Sequence, residues 1–206
     1  MQGAKLAGGN PENGRVDNDF YATDPAAVDK LFAALDRVGK YFVRPKSFLE
    51  PCVGNGNIAD RVLKIYPGIQ DTMFTDIVDR GYPNTVVGDF LTTDFDNRKF
   101  DLIVSNPPYS LALEFVQKCR SLLTPEGILA MFLKIQYWEG EKRQADLLNN
   151  PPAFCFPFSK RMATWNNGKP TDENGKRWAT TMCHAWFVWD TWDSTRGWRI
   201  CGTMPI

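Results

Sequence analysis

The sequence predicts a doubly wound α/β domain: a mostly parallel seven-stranded sheet with helices on both faces and an antiparallel final strand. Three observations carry this. Short apolar runs rich in β-branched residues recur along the chain, and between most of them apolar residues return at three- and four-residue spacing. That alternation is what strand–helix–strand crossovers of a parallel sheet require. The last two apolar runs have no helical segment between them, so they are expected as an antiparallel pair. Four of the runs end on Glu50, Asp76, Asp89 and Asn106, which lines polar chemistry along the carboxyl edge where open α/β sheets bind ligands.

Residues 1–19 are polar and Gly-rich and read as a flexible lead-in, leaving 20–206 as a single domain. Thr23 or Asp24 is a plausible N-cap for a first helix, with Pro25 in its first turn and Ala27, Val28, Leu31, Phe32 and Leu35 on its apolar face. Strands are expected at 47–50, 72–76, 85–89, 100–104, 127–133, 153–156 and 183–189, with further helices opening at 57, 111 and 139. Between the last two strands lies a polar segment, 159–181, rich in Gly, Asn, Lys and Arg.

Lys plus Arg and Asp plus Glu are both 24, so a protein that coats duplexes by bulk positive charge is disfavoured, while a local basic face is not. Five widely spaced cysteines with no Cys-x-x-Cys pair indicate neither a disulfide framework nor a zinc site. No apolar stretch approaches the ~18 residues of a membrane span, and the N-terminus does not resemble a signal peptide. A cytoplasmic protein without a metal is the expectation.

Pro107 and Pro108 cannot continue a ladder, because each lacks an N–H and has φ fixed. They hold Asn106 and Tyr109 in a set relation at the end of a strand. An amide oxygen, a neighbouring carbonyl and an aromatic face on one rigid corner suit gripping a flat, amino-bearing group. Upstream, Gly54-x-Gly56-x-x-Ala59 follows a strand and opens a helix, as a nucleotide-binding loop does. Taken alone this loop also fits NAD, or an ordinary loop. Glu50, just before the glycines, tilts against a pyrophosphate and toward a cationic ligand. Asp76 is placed for ribose hydroxyls and Asp89 for an adenine amino group. S-adenosylmethionine, a sulfonium without phosphate, suits these acids better than NAD.

Together, the loop Leu49-Glu50-Pro51-Cys52-Val53-Gly54-Asn55-Gly56 and the tetrad Asn106-Pro107-Pro108-Tyr109 resemble the S-adenosylmethionine-dependent methyltransferases that act on adenine N6 in DNA. A Leu-Glu-Pro form stands here where that family commonly has a leading Phe, as in small bacterial and phage-type members. Tyr21-Ala22-Thr23-Asp24-Pro25 is similar to the segment that packs over the cofactor's methionine end. The runs 138–143, 158–161 and 185–189 also resemble small phage-borne members, so the likeness extends over nearly the whole chain. It implies a Rossmann-like class I methyltransferase fold, and host cytoplasm for a phage-encoded chain.

The resemblance further implies a cofactor set of Tyr21, Thr23, Glu50, Pro51, Cys52, Gly54, Asn55, Gly56, Asp76, Ile77, Asp89, Phe90 and Asn106, with Asn106, Pro107, Pro108 and Tyr109 catalytic. The target adenine would be flipped out of a DNA duplex to reach the corner. Phe158 is a lesser candidate for a second stacking face, with core packing its simpler role. Lys160, Arg161, Trp165, Lys176 and Arg177 make 159–181 a candidate nucleic-acid arm; a solvated hairpin loop around 172–175 is the plain alternative. Lys142 and Arg143 could touch phosphate, although a solvated helix face explains them more simply. His184, the only histidine, is expected to be a satisfied sheet residue. The brevity of the arm points to short or relaxed sequence specificity. Rival readings are methylation of RNA adenine, cytosine N4 or a protein glutamine, or a non-catalytic cofactor- or DNA-binding module; the intact tetrad argues against the last.

Overall fold

The computed structural model describes residues 20–39, 44–190 and, as backbone, 199–200. The expected lead-in at 1–19 lies outside the described residues. In chain order the elements are β1 (Tyr21–Thr23), α1 (Pro25–Arg37), β2 (Ser47–Glu50), α2 (Asn57–Ile65), β3 (Asp71–Asp76), β4 (Thr85–Val87) and β5 (Phe100–Ser105). They continue with α3 (Ala112–Ser121), β6 (Leu123–Lys134), α4 (Glu141–Asn149), β7 (Phe154–Pro157), β8 (Thr164–Asn166), β9 (His184–Asp190) and β10 (Arg199–Ile200).

The main sheet runs β10-β7-β9-β6-β5-β2-β3-β4. It contains the seven expected strands, and the two-residue β10 adds a parallel edge beside β7. β9 runs antiparallel to both β6 and β7, and the remaining neighbours are parallel. The chain starts the sheet at its middle with β2, steps outward through β3 and β4, and returns to the other side of β2 as β5. The strand order therefore reverses between β2 and β5, which opens a crevice at their carboxyl ends. Glu50 ends β2 and Asn106 follows β5, one on each side of that crevice.

Strand alternation fills two cores. Phe48, Leu102, Val104, Ile128, Ala130 and Phe132 face α1 and α2, while Leu49, Ile103, Leu129, Met131 and Leu133 face α3 and α4. Helix α1 begins as expected, with Asp24 accepting from Ala26 N–H at 2.9 Å and Pro25 in its first turn. The Trp186 indole N–H donates to the Ala27 carbonyl at 2.8 Å and ties α1 to β9.

Two strand ends differ from expectation. β4 stops at Val87, because Asp89 turns the chain instead: its Oδ1 accepts from Leu91 N–H at 2.9 Å and its carbonyl accepts from Thr92 and Thr93. β6 begins four residues early, at Leu123, and pairs with Phe100 before a register shift carries Ile128 opposite Leu102. A second, two-stranded sheet pairs β1 with β8 antiparallel, joining the start of the domain to segment 159–181.

Candidate active site

The corner after β5 is held from both ends. Asn106 Nδ2 donates to the Tyr21 carbonyl at 2.8 Å. A carbonyl only accepts, so this bond assigns the amide orientation and leaves Oδ1 as the other terminus. Oδ1 is buried and, among the described residues, has no hydrogen-bond partner. Pro108, at φ −54° and ψ 123°, leads into a short helical turn at Tyr109–Leu111 and then α3. The Tyr109 hydroxyl lies 3.0 Å from His184 Nε2, and the Lys134 ammonium sits 4.7 Å from the Tyr109 ring centroid.

Across the crevice, the loop between β2 and α2 is tied to the end of β3. Thr75 Oγ1 donates to the Pro51 carbonyl at 2.8 Å, Val53 N–H to the Thr75 carbonyl at 3.0 Å, and Gly54 N–H to Asp76 Oδ2 at 2.8 Å. Asp76 Oδ1 also accepts from Val78 N–H at 3.0 Å. Both loop glycines have left-handed φ, +57° at Gly54 and +87° at Gly56. A Cβ on Gly54 would stand 2.6 Å from Phe20 Cε2, and one on Gly56 would strike the Tyr82 ring. The Arg80 guanidinium covers the Phe20 ring at 4.0 Å and approaches Asp76 Oδ1 at 3.9 Å.

Glu50 is 1% exposed, and its Oε2 has no partner among the described residues. Burial pushes its carboxyl well above the ordinary carboxylate range; the Ala59 N–H opposes this, and Asp76 and Asp60 add to it. Thr23 Oγ1 is a third buried atom without a partner among the described residues. Thr23, Glu50 and Asn106 line one cleft of about 530 Å³, its mouth included. Leaving a polar atom buried and unpaired costs about 1–3 kcal/mol, so three from separate segments at one cleft describe a site shaped for a polar ligand.

Tyr21, Cys52, Gly54, Asn55, Asp76, Ile77 and Pro108 line the same cleft, with Ile77 61% exposed at the surface. Pro51 and Gly56 shape the loop without lining it. Asp89 is exposed outside the lining, and Phe90 is buried against Phe95 and Phe115. Phe158 packs on the core beside Phe132 at 5.8 Å, the simpler of its two expected roles. Lys160, Arg161, Lys176 and Arg177 are exposed, whereas Trp165 is half-buried in β8 opposite Ala22. The hairpin alternative is present at 172–175, where Asp172 N–H donates to the Lys176 carbonyl at 2.9 Å. Arg143 closes its own turn through the carbonyls of Tyr137, Gln136 and Glu139.

Phe20 and Asn57 also line the cleft, while Arg80 and His184 lie behind it against Phe20 and Tyr109. Phe20 covers Gly54, and Asn57 Nδ2 donates to the Thr23 carbonyl at 2.9 Å, so β1 is strapped to both α2 and Asn106. Asn57 was discoverable, because an amide directly after Gly54-x-Gly56 stands at the mouth of the loop; Phe20 and Arg80 carry no local signal, and His184 is the buried, hydrogen-bonded sheet residue expected of it. Among the described residues, no cluster of His, Cys, Asp or Glu could hold a metal ion, and no helix is long and apolar enough to cross a membrane.

A central strand flanked by reversing crossovers, a glycine loop at its carboxyl end and an antiparallel strand inserted beside β6 define the class I methyltransferase fold. The chain superposes on a Listeria monocytogenes protein assigned to the class I S-adenosylmethionine-dependent methyltransferases, with TM-score 0.59 and 12% identity over 89% of this chain and 64% of that one. It also superposes on the methyltransferase subunit of a type I restriction-modification system from Streptococcus thermophilus, with TM-score 0.61 and 16% identity over 85% of this chain and 45% of that one.

In sequence it is 31% identical over 147 residues to the type II methyltransferase M.CvrRI of Paramecium bursaria Chlorella virus XZ-6E, covering 59% of this chain. The chain spans 37% of that viral protein's length. No protein-family model matches it.

Proposed function

We propose that this chain transfers a methyl group from S-adenosylmethionine to the exocyclic N6 of adenine in DNA. The observation that carries the reading is Asn106: its Nδ2 is committed to Tyr21, and its Oδ1 is a buried acceptor without a partner, at the same cleft as Glu50. The viral type II methyltransferase relative supports DNA as the substrate.

The donor fits the cleft on its chemistry. Glu50 is buried with its Oε2 unpartnered among the described residues, and a cationic ligand would favour its carboxylate. Asp76 retains lone pairs beyond the two backbone N–H groups it accepts, enough for ligand hydroxyls. When bound, S-adenosylmethionine supplies an electrophilic methyl on a sulfonium that leaves as a thioether.

The protein's part is orientation. Asn106 Oδ1 and the Pro107 carbonyl would each accept one N–H of the adenine amino group. That favours a pyramidal nitrogen whose lone pair is available for the new N–C bond, with the surplus proton leaving to water. Tyr109 would stack on the flipped base. Exposed Lys160, Arg161, Lys176 and Arg177 would take phosphates.

The test is to incubate the protein with methyl-labelled S-adenosylmethionine and, separately, DNA, RNA and protein, then to analyse the digests. Label in N6-methyladenine from DNA supports the reading. Label confined to RNA or to glutamine, or no transfer by protein that binds the donor, overturns it.

A further inference from the structure

We infer that His184 is a positioning residue that holds the Tyr109 ring for the base-stacking role proposed above. His184 is 2% exposed on β9, and its ring is stacked on Phe132 at 4.8 Å between centroids. Its Nδ1 lies 3.1 Å from the Met162 carbonyl. A carbonyl oxygen only accepts, so Nδ1 carries the proton, and the neutral ring presents its lone pair at Nε2. The Tyr109 hydroxyl, 3.0 Å from Nε2, is therefore the donor of that bond.

The result is a directed chain, Tyr109 O–H to Nε2 and Nδ1–H to Met162 O. Its far end lies at the start of segment 159–181, so one imidazole joins the basic arm to the corner. Among the described residues the charged group beside it is Lys134, whose ammonium also covers the Tyr109 ring. Burial lowers the His184 pKa to about 4, the Met162 carbonyl opposes this and Lys134 adds to it, so the ring stays neutral through physiological pH. A half-buried tyrosine whose phenol is pinned meets an incoming base without an entropic cost for rotamer ordering.

The inference rests on Tyr109 acting as the stacking face, and the experiment keeps the two claims apart. Because the chain has a single histidine, long-range ¹H–¹⁵N spectra of the untagged protein read His184 alone. A neutral Nδ1–H tautomer is expected, and Tyr109→Phe should move the Nε2 resonance toward that of an unbonded nitrogen. A protonated ring at neutral pH, the Nε2–H tautomer, or no shift in Tyr109→Phe would overturn the geometry whether or not the protein methylates DNA.

For activity, His184→Phe keeps the stack on Phe132 and removes both bonds. It should lower kcat for DNA methylation roughly tenfold, the scale of one hydrogen bond, with donor affinity unchanged. Tyr109→Phe should cost about the same, and the double variant no more than either single. His184→Gln, whose amide can accept the phenol proton, should recover part of the loss. Additive losses in the double variant, or full kcat in His184→Phe, would overturn the positioning role.

Discussion

At the scale of single residues, the site is defined by polar atoms that the fold buries and leaves unpaired. Glu50 is the sharpest case. Its carboxyl is held well above the ordinary range by burial, so the fold favours its protonated form, and a bound cation would favour its ionised form. Affinity for S-adenosylmethionine should therefore rise with pH through the shifted pKa, and binding at pH values below that pKa should release a proton, seen by calorimetry as an enthalpy that depends on the buffer. Glu50→Gln should abolish the proton release and weaken binding at least tenfold, about the contribution of one charge-assisted hydrogen bond. For stability, a raised acid pKa is a contribution present at low pH and lost as pH rises through the folded value.

His184 runs the other way. Its pKa falls from an ordinary 6.5 to about 4, so its contribution is full above 6.5 and is lost as pH falls toward 4. The slope there is at most about 1.4 kcal/mol per pH unit. Denaturant titrations between pH 7 and 4 should show this slope in the native protein and a flatter one in His184→Phe.

At the scale of elements, the crevice depends on the glycine loop and on the β1–β8 strap. Gly54→Ala forces a Cβ onto a residue at φ +57° and within 2.6 Å of Phe20. It should cost about 1–2 kcal/mol by thermal denaturation and weaken donor binding by displacing Phe20 from the lining. β2, β3, β5, β7 and β9 were legible to within a residue or so at each end, because each is an apolar run bounded by turn residues. β1 and β8 were not: three-residue strands carry almost no period, and β1 finds its partner more than a hundred positions away. The early start of β6 was hidden because Pro125-Glu126-Gly127 reads as a turn, whereas the structure accommodates it as an irregularity in the ladder. The end of β4 was misplaced for a related reason, since Asp89 turns its own following backbone and does not continue the ladder.

At the scale of the whole molecule, strand order does what no single motif can. Reversal between β2 and β5 brings Glu50 and Asn106, 56 positions apart, to one crevice. The alternating pattern implied such a sheet, and residues of the tetrad and of the glycine loop line the crevice at its carboxyl edge. Tethers made over long separations, such as Asn106 to Tyr21 and Tyr109 to His184, were not legible, since each is a tertiary contact between chemically ordinary residues.

With a net charge of zero, the proposed affinity for DNA must come from a local surface. Replacing Lys160, Arg161, Lys176 and Arg177 together by Ala should weaken DNA binding. The dependence of log K on log salt should flatten by about 0.9 for each phosphate that is no longer neutralised, with donor affinity unchanged. An unchanged salt slope would remove the segment from the DNA surface.

The most direct measurement compares N6-methyladenine formed in DNA by the native protein and by Asn106→Ala, with donor binding measured on the same samples. N6-methyladenine is expected from the native protein and at least a hundredfold less from the variant, which should bind the donor with nearly native affinity. Equal product from both proteins, or none from a native protein that binds the donor, would contradict the assignment of the Asn106 corner to amino-group methylation of DNA.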